Sequence, residues 1–157
     1  MKPANLSVAV RDATPADARR IARWNTLLAD ESEGVRLDAA TILAGVQAVL
    51  EDDAKGRYFV AEWNRQPVGT LMITYEWSDW RNGVFFWIQS VYVEKDFRSR
   101  GVFTALFEHV RKVAEESHSC GLRLYVHAEN SGAREVYARR GLVSHDYLVL
   151  ETPDLLR

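Results

Sequence analysis

Between Tyr58 and Val93 three apolar runs follow one another with only short polar breaks, and this stretch limits the possible folds most severely. Tyr58 to Trp63, Val68 to Trp77 and Val84 to Val93 are rich in β-branched and aromatic residues, while Asn64-Arg65-Gln66 and Ser78 to Gly83 supply the turns between them. Strands joined by such short connections pair antiparallel, so the spacing predicts a meander. Helical periodicity then resumes at Phe103, Leu106, Phe107, Val110, Val113 and Ala114, until Gly121 breaks it. Leu122 to Val126 follows as a short strand. A strand, a helix and another strand in succession call for a parallel crossover, so the sheet is expected to be mixed.

The flanking segments complete the pattern. Ser7 to Ala13 reads as a first strand, and Thr14-Pro15 as a helix start with a hydroxyl cap and proline at the first position. Ala18, Ile21, Ala22, Asn25 and Leu28 share one face of that helix, expected to run to about Ala29. An acidic turn over Asp30 to Gly34 and a second helix from Asp38 to about Asp52 come next. Near the end, a helix from Ser131 to Arg139 stops at Gly141, and Leu142 to Leu150 reads as a last strand. The order β-α-α-β-β-β-α-β-α-β predicts an α+β fold, a mixed and mostly antiparallel central sheet flanked by helices. No linker or repeat divides residues 1–157, so one domain is expected.

Composition excludes several functions. A net charge of −2 gives none of the basic excess that a nucleic-acid binder carries. No apolar stretch approaches the length of a membrane span, and MKPANLSVAV lacks the pattern of a secretory signal. One cysteine, Cys120, fits a reducing compartment, so a cytoplasmic protein is expected. The four histidines lie on separate elements without ligand spacing, and no metal site is expected.

Chemistry gathers at the third run's exit, Val91-Tyr92-Val93-Glu94-Lys95-Asp96-Phe97-Arg98-Ser99-Arg100-Gly101-Val102-Phe103-Thr104. The first turn of a helix offers backbone N–H groups and a positive dipole end. A pyrophosphate seats naturally there, Gly101 allows close approach, and Arg98 and Arg100 can add charge-assisted hydrogen bonds. Taken alone, the pattern equally fits a loop glycine between solvated arginines. It is neither a Walker loop nor a dinucleotide fingerprint.

Here the sequence resembles the GNAT superfamily of N-acetyltransferases, whose signature at this junction is Arg/Gln-x-x-Gly-x-Gly/Ala. The chain reads Arg98-Ser99-Arg100-Gly101-Val102-Phe103 and departs at Phe103, where a small residue is usual. A second segment, Asn130-Ser131-Gly132-Ala133-Arg134-Glu135-Val136-Tyr137-Ala138-Arg139-Arg140-Gly141-Leu142, looks like the family's Asn-x-x-Ala-x-x-x-Tyr-x-x-x-Gly-Phe. The resemblance implies acetyl-coenzyme A as the acyl donor and an amine of a small molecule or protein as the acceptor. It implies that Arg98 to Thr104 hold the diphosphate and that the pantetheine arm pairs with backbone around Val91, Tyr92 and Val93, where the strands splay. An amide near Val91 would polarise the thioester carbonyl. Asn130 and Ala133 would line the arm, and Tyr137 would lie beside the sulfur.

Aminolysis of a thioester needs a neutral amine, a stabilised oxyanion and a proton for the departing thiolate. Tyr137 is the candidate acid, although a tyrosine at the edge of the core would read the same way. Many members of the family carry a Glu or His on the fourth strand as base; Trp87 and Gln89 stand at the matching positions, and neither titrates usefully. Glu31 and Glu33 are the better substitutes, Glu76 and Asp79 the others, or there is no dedicated base at all; a solvated acidic loop is the plain alternative for the first pair. Trp77, Trp80 and Gln89 are candidate acceptor contacts, with sheet packing or a homodimer contact as the competing account of the tryptophans. An acyl-coenzyme A-binding module with little turnover is the alternative function.

Overall fold

The computed structural model describes residues 7–152. Among them, five strands form one sheet in the order β1 (Ala9–Asp12), β2 (Arg57–Trp63), β3 (Gln66–Ser78), β4 (Gly83–Val93) and β5 (Gly121–Leu124). The first four pair antiparallel, and β5 joins β4 in parallel, as the meander and crossover pattern requires. The crossover is helix α3 (Val102–Glu116).

The sheet is covered on both faces because β2 buries both of its own. Alternation sends Tyr58 and Val60 to one side, where they pack with Ile21, Trp24 and Val46 of α1 (Ala18–Glu33) and α2 (Ala39–Glu51). Phe59 goes to the other side, and its ring meets His109 of α3 at 5.1 Å. Trp24, Phe59 and Leu71 are wholly removed from solvent. Each such large apolar side chain contributes about 1.5–3 kcal/mol of transfer free energy.

Helix ends follow local chemistry, with one difference from expectation. Thr14-Pro15 opens a short 3-10 turn, Pro15–Asp17, before α1 begins. Asp38 caps α2 by accepting from the Thr41 amide at 2.8 Å. Helix α1, however, runs through the acidic segment to Glu33 instead of ending near Ala29. Its last turn tolerates polar residues because Ser32 donates to the Leu28 carbonyl, and Gly34 at φ 66° closes the helix by donating to Ala29 and Asp30.

The chain divides after Tyr125. The unit beginning at Val126 holds α4 (Ser131–Ala138), and the strand expected over Leu142 to Leu150 is not formed among its described residues. Alternating apolar residues make a strand only when a neighbouring ladder takes up their backbone groups. Here no ladder does, and Leu148 and Leu150 are 86% and 90% exposed. No helix among the described residues is long and apolar enough to cross a membrane.

A part-buried ion-pair cluster closes the sheet's first corner. Arg11 on β1 donates to both carboxylate oxygens of Asp17, at 2.8 and 3.0 Å, and to Glu62 on β2 at 2.7 Å. Burial pushes the Asp17 pKa up, but the Arg11 bonds and the Thr14 amide outweigh it and hold the carboxyl below its ordinary value. A depressed carboxyl stabilises the fold above the unfolded-state pKa, and that stabilisation disappears as pH falls through the lower native value. Asp17→Asn is therefore expected to lose about 1–3 kcal/mol in urea unfolding at neutral pH. The gap between variant and wild type should narrow as pH falls below about 4.

Candidate active site

Strand β4 has a partner along its whole length on one side and, among the described strands, over four of its eleven residues on the other. Its parallel ladder with β5 runs from Phe85↔Gly121 to Ile88↔Leu124 and stops there. From Gln89 to Val93 it stays bonded to β3 alone among the described strands, so its other backbone edge opens. A bulge marks the departure: Thr70 faces Tyr92 and Met72 faces Gln89, so Ser90 and Val91 together oppose Leu71. Ser90 takes φ 48°, which bends the strand and re-aims the amides around Val91.

Beyond Val93 come Glu94, a 3-10 turn Lys95–Phe97, the loop Arg98 to Gly101 and α3. Gly101 sits at φ 89°, a conformation that suits glycine, and as the N-cap of α3 it brings no side chain of its own. The start of α3 is seated by close packing. Val102 is buried against β3 at Gly69, where a Cβ would lie 3.2 Å from Val102 Cγ1 and 2.9 Å from the Tyr92 carbonyl oxygen.

The connection is tied to α1 at two points. Trp24 Nε1 donates to Glu94 at 2.7 Å. Two turns later on the same helix face, the Glu31 carboxylate accepts from Arg98 at 2.8 Å and from the Tyr92 hydroxyl at 3.2 Å, with Lys95 Nζ at 3.4 Å. Arg98 also donates to the Val93 carbonyl at 2.8 Å and lies over the Tyr92 ring, 5.3 Å from its centroid. The Arg98 hydrogen bond holds the Glu31 carboxyl below the usual carboxylate range, which makes it a weaker proton acceptor.

The candidate acceptor residues do not form one cluster. Gln89 donates to Thr74 Oγ1 at 2.5 Å and shares a sheet face with Trp87. Trp77 alternates to the opposite face and is 62% exposed, and Trp80 at the hairpin tip is 91% exposed. Glu33 ends α1 in an exposed position, two residues beyond Glu31 and so turned to a different side of the helix.

Sequence reasoning missed the polar cluster that forms around Trp87. Glu76, named above only as a substitute base, accepts from the Trp87 indole and from Arg123 at 3.0 Å. The Arg123 guanidinium lies 3.7 Å from the Phe85 ring centroid, and the Trp87 and Tyr125 rings meet at a tilt, 4.4 Å between centroids. The signal was present in the alternation: Glu76, Phe85 and Trp87 all fall on one face once β3 and β4 are paired.

In the unit after Tyr125, Asn130 caps α4 by accepting from the Ala133 amide at 3.0 Å, which gives both residues a local role. Tyr137 lies on the same helix, and burial pushes its phenol up from the ordinary tyrosine value.

The fold is that of an acyltransferase domain. A possible acetyltransferase of Clostridium difficile 630 superposes with TM-score 0.87 at 41% identity, over 92% of this chain and 96% of that one. A predicted acetyltransferase of Clostridium acetobutylicum, solved with acetyl-CoA, shares the fold at TM-score 0.76 and 19% identity, over 92% and 96% of the two chains. The chain belongs to the acetyltransferase (GNAT) family, whose model matches residues 21–142. It is 35% identical over 94 residues to an uncharacterized N-acetyltransferase of Methanocaldococcus jannaschii, a match covering 59% of this chain and 41% of that protein. Against streptothricin acetyltransferase A of Bacillus subtilis it is 34% identical over 94 residues, 60% of this chain and 51% of the relative. The chain thus spans about half the length of these curated relatives, or less.

The seat of α3 can be tested directly. Gly69→Ala should cost about 1–3 kcal/mol in chemical denaturation, because backbone and the buried Val102 leave a methyl no room. Unchanged stability would mean that the contact between β3 and the start of α3 yields freely.

Proposed function

We propose that the protein is an N-acetyltransferase that uses acetyl-coenzyme A and acts on a primary amine of a small molecule or peptide. The observation that carries this reading is the four-pair ladder between β4 and β5, with the Gly101-capped start of α3 a short loop beyond the end of β4. An open strand edge takes the amide-bearing arm of the coenzyme by backbone pairing, and a helix start takes its diphosphate. The residues present fit that group. Val91, Tyr92 and Val93 line the edge, and Ser99, Arg100, Gly101, Val102, Phe103 and Thr104 form the phosphate end. Residues 1–157 are read as one acetyltransferase-like domain, and the lone Cys120 suits the cytoplasm.

Bound there, the coenzyme supplies an activated thioester. The bulged amides near Val91 stabilise charge on the acyl oxygen as the amine nitrogen attacks the carbonyl carbon. The carbon–sulfur bond would then break, with Tyr137 giving its proton to the leaving thiolate and the phenolate regaining one from solvent as the amine sheds its own. A tyrosine with a raised pKa stays protonated at neutral pH and remains a donor. Asn130 and Ala133 hold the turn from which α4 presents Tyr137. On the acceptor side, Gln89 and the Glu76 carboxylate share one sheet face and favour a cationic amine; Glu33, Trp77 and Trp80 lie apart from that face. The streptothricin acetyltransferase relative supports a small-molecule acceptor.

A second reading, a coenzyme-binding module with little turnover, draws on Trp87 and Gln89 at the strand positions where a base is usual. Release of free thiol from acetyl-coenzyme A with any member of an amine panel would decide for the enzyme. Binding without release across the panel would decide for the module. Tyr137→Phe should lower kcat about 100-fold while leaving the coenzyme Kd within about threefold. Gly101→Trp should abolish coenzyme binding in calorimetry; retained affinity would move the phosphates elsewhere.

A further inference from the structure

The acidic residue that sequence reasoning offered as a base has a different arrangement of partners from the one a base needs. One Glu31 oxygen accepts from Arg98, and the other accepts from the Tyr92 hydroxyl with Lys95 beside it. Arg98 is in turn fixed on three sides, by Glu31, by the Val93 carbonyl and by the face of Tyr92. The loop so held is one that does not keep its shape unaided. Ser99 and Gly101 both have positive φ, 60° and 89°, and for Ser99 that conformation is disfavoured.

We propose that Glu31 is a positioning residue for the coenzyme phosphates, acting through Arg98, and neither the general base nor an acceptor ligand. The proposal rests on the reading that the start of α3 seats the diphosphate. Helix α1 grips the connection from β4 to α3 at both ends, through Trp24 on Glu94 and Glu31 on Arg98. With Arg98 bound to Glu31 and Val93, its guanidinium braces the loop from behind. Arg100, which lies outside this brace, is the loop arginine that meets the phosphates. Holding the loop in its binding shape before the ligand arrives lowers the ordering cost of binding. The depressed Glu31 carboxyl agrees with this role, since a permanently charged brace is useful and a weak base is not.

The test is a comparison of wild type, Glu31→Gln, Arg98→Met and the double variant, each checked for an unchanged far-UV spectrum. Coenzyme A is titrated by calorimetry, and steady-state rates are measured with acetyl-coenzyme A and an accepted amine across pH 5–9. Glu31→Gln should weaken coenzyme A binding and raise the acetyl-coenzyme A KM by about tenfold, with kcat and the amine KM within about twofold. Arg98→Met should do the same, and the double variant should lose no more than either single one, because both residues act through one contact. A fall in kcat with loss of the acidic limb of the pH profile would make Glu31 the base. A raised amine KM would make it an acceptor ligand, and additive losses would show that the two residues act separately; each of these results overturns the proposal. Undiminished coenzyme affinity in Glu31→Gln, with wild type binding normally, overturns this assignment alone. Failure of wild type to bind coenzyme A would overturn the proposed function and this assignment with it.

Discussion

The hydrogen bonding of β4 sets the terms for everything around it. Its antiparallel ladder with β3 extends from Ser78↔Gly83 to Gly69↔Val93, while its parallel ladder with β5 covers only four residue pairs. A backbone edge left open inside a sheet is costly to bury unless something pairs with it. The bulge at Ser90 and Val91 lets one strand serve both demands, since it preserves the β3 side while turning the other side outward. Everything downstream, from Glu94 to the start of α3, takes its direction from that bend.

The surrounding structure makes this local irregularity affordable. Strand β2 buries both its faces, and Leu71 and Ile73 of β3 are wholly buried beside it, so the bulge leans on a part of the sheet that cannot shift. The Arg11 cluster ties β1 and the first turn to β2, and Val102 against Gly69 fixes where α3 begins. Stability is concentrated away from the open edge, in keeping with the general placement of binding elements at the less supported end of a fold.

Much of this was legible in the sequence, and the reason is that local rules govern it. The strands of the meander, the cap at Asp38 and the helix opening at Gly101 each depend on residues a few positions apart. The bond from Glu31 to Arg98 spans 67 residues, and nothing in either segment announces the other. An acidic run such as Asp30 to Glu33 reads as a turn because the Ser32 back-bond and the Gly34 cap that keep it helical depend on how the helix ends. Trp77 and Trp87 look alike in the sequence, and only the β3–β4 register separates their faces. The apolar alternation after Leu142 met no ladder, because periodicity specifies a side-chain pattern and a strand also needs a neighbour. Within the candidate site, the junction after β4 could be read from spacing; the cluster of Glu76, Trp87 and Arg123 could not, because it is assembled across three strands.

The double attachment of α1 has a consequence for anyone who would redesign this scaffold. Loops and helices beside an acceptor groove are usually treated as interchangeable modules, to be swapped between homologues when a new substrate is wanted. Here the transplanted piece would carry Trp24 and Glu31 with it, or leave Glu94 and Arg98 without their counterparts. A graft chosen for any feature of α1 would then disturb the connection from β4 to α3. Helix and connection behave as one piece, and recombination has to cut outside both.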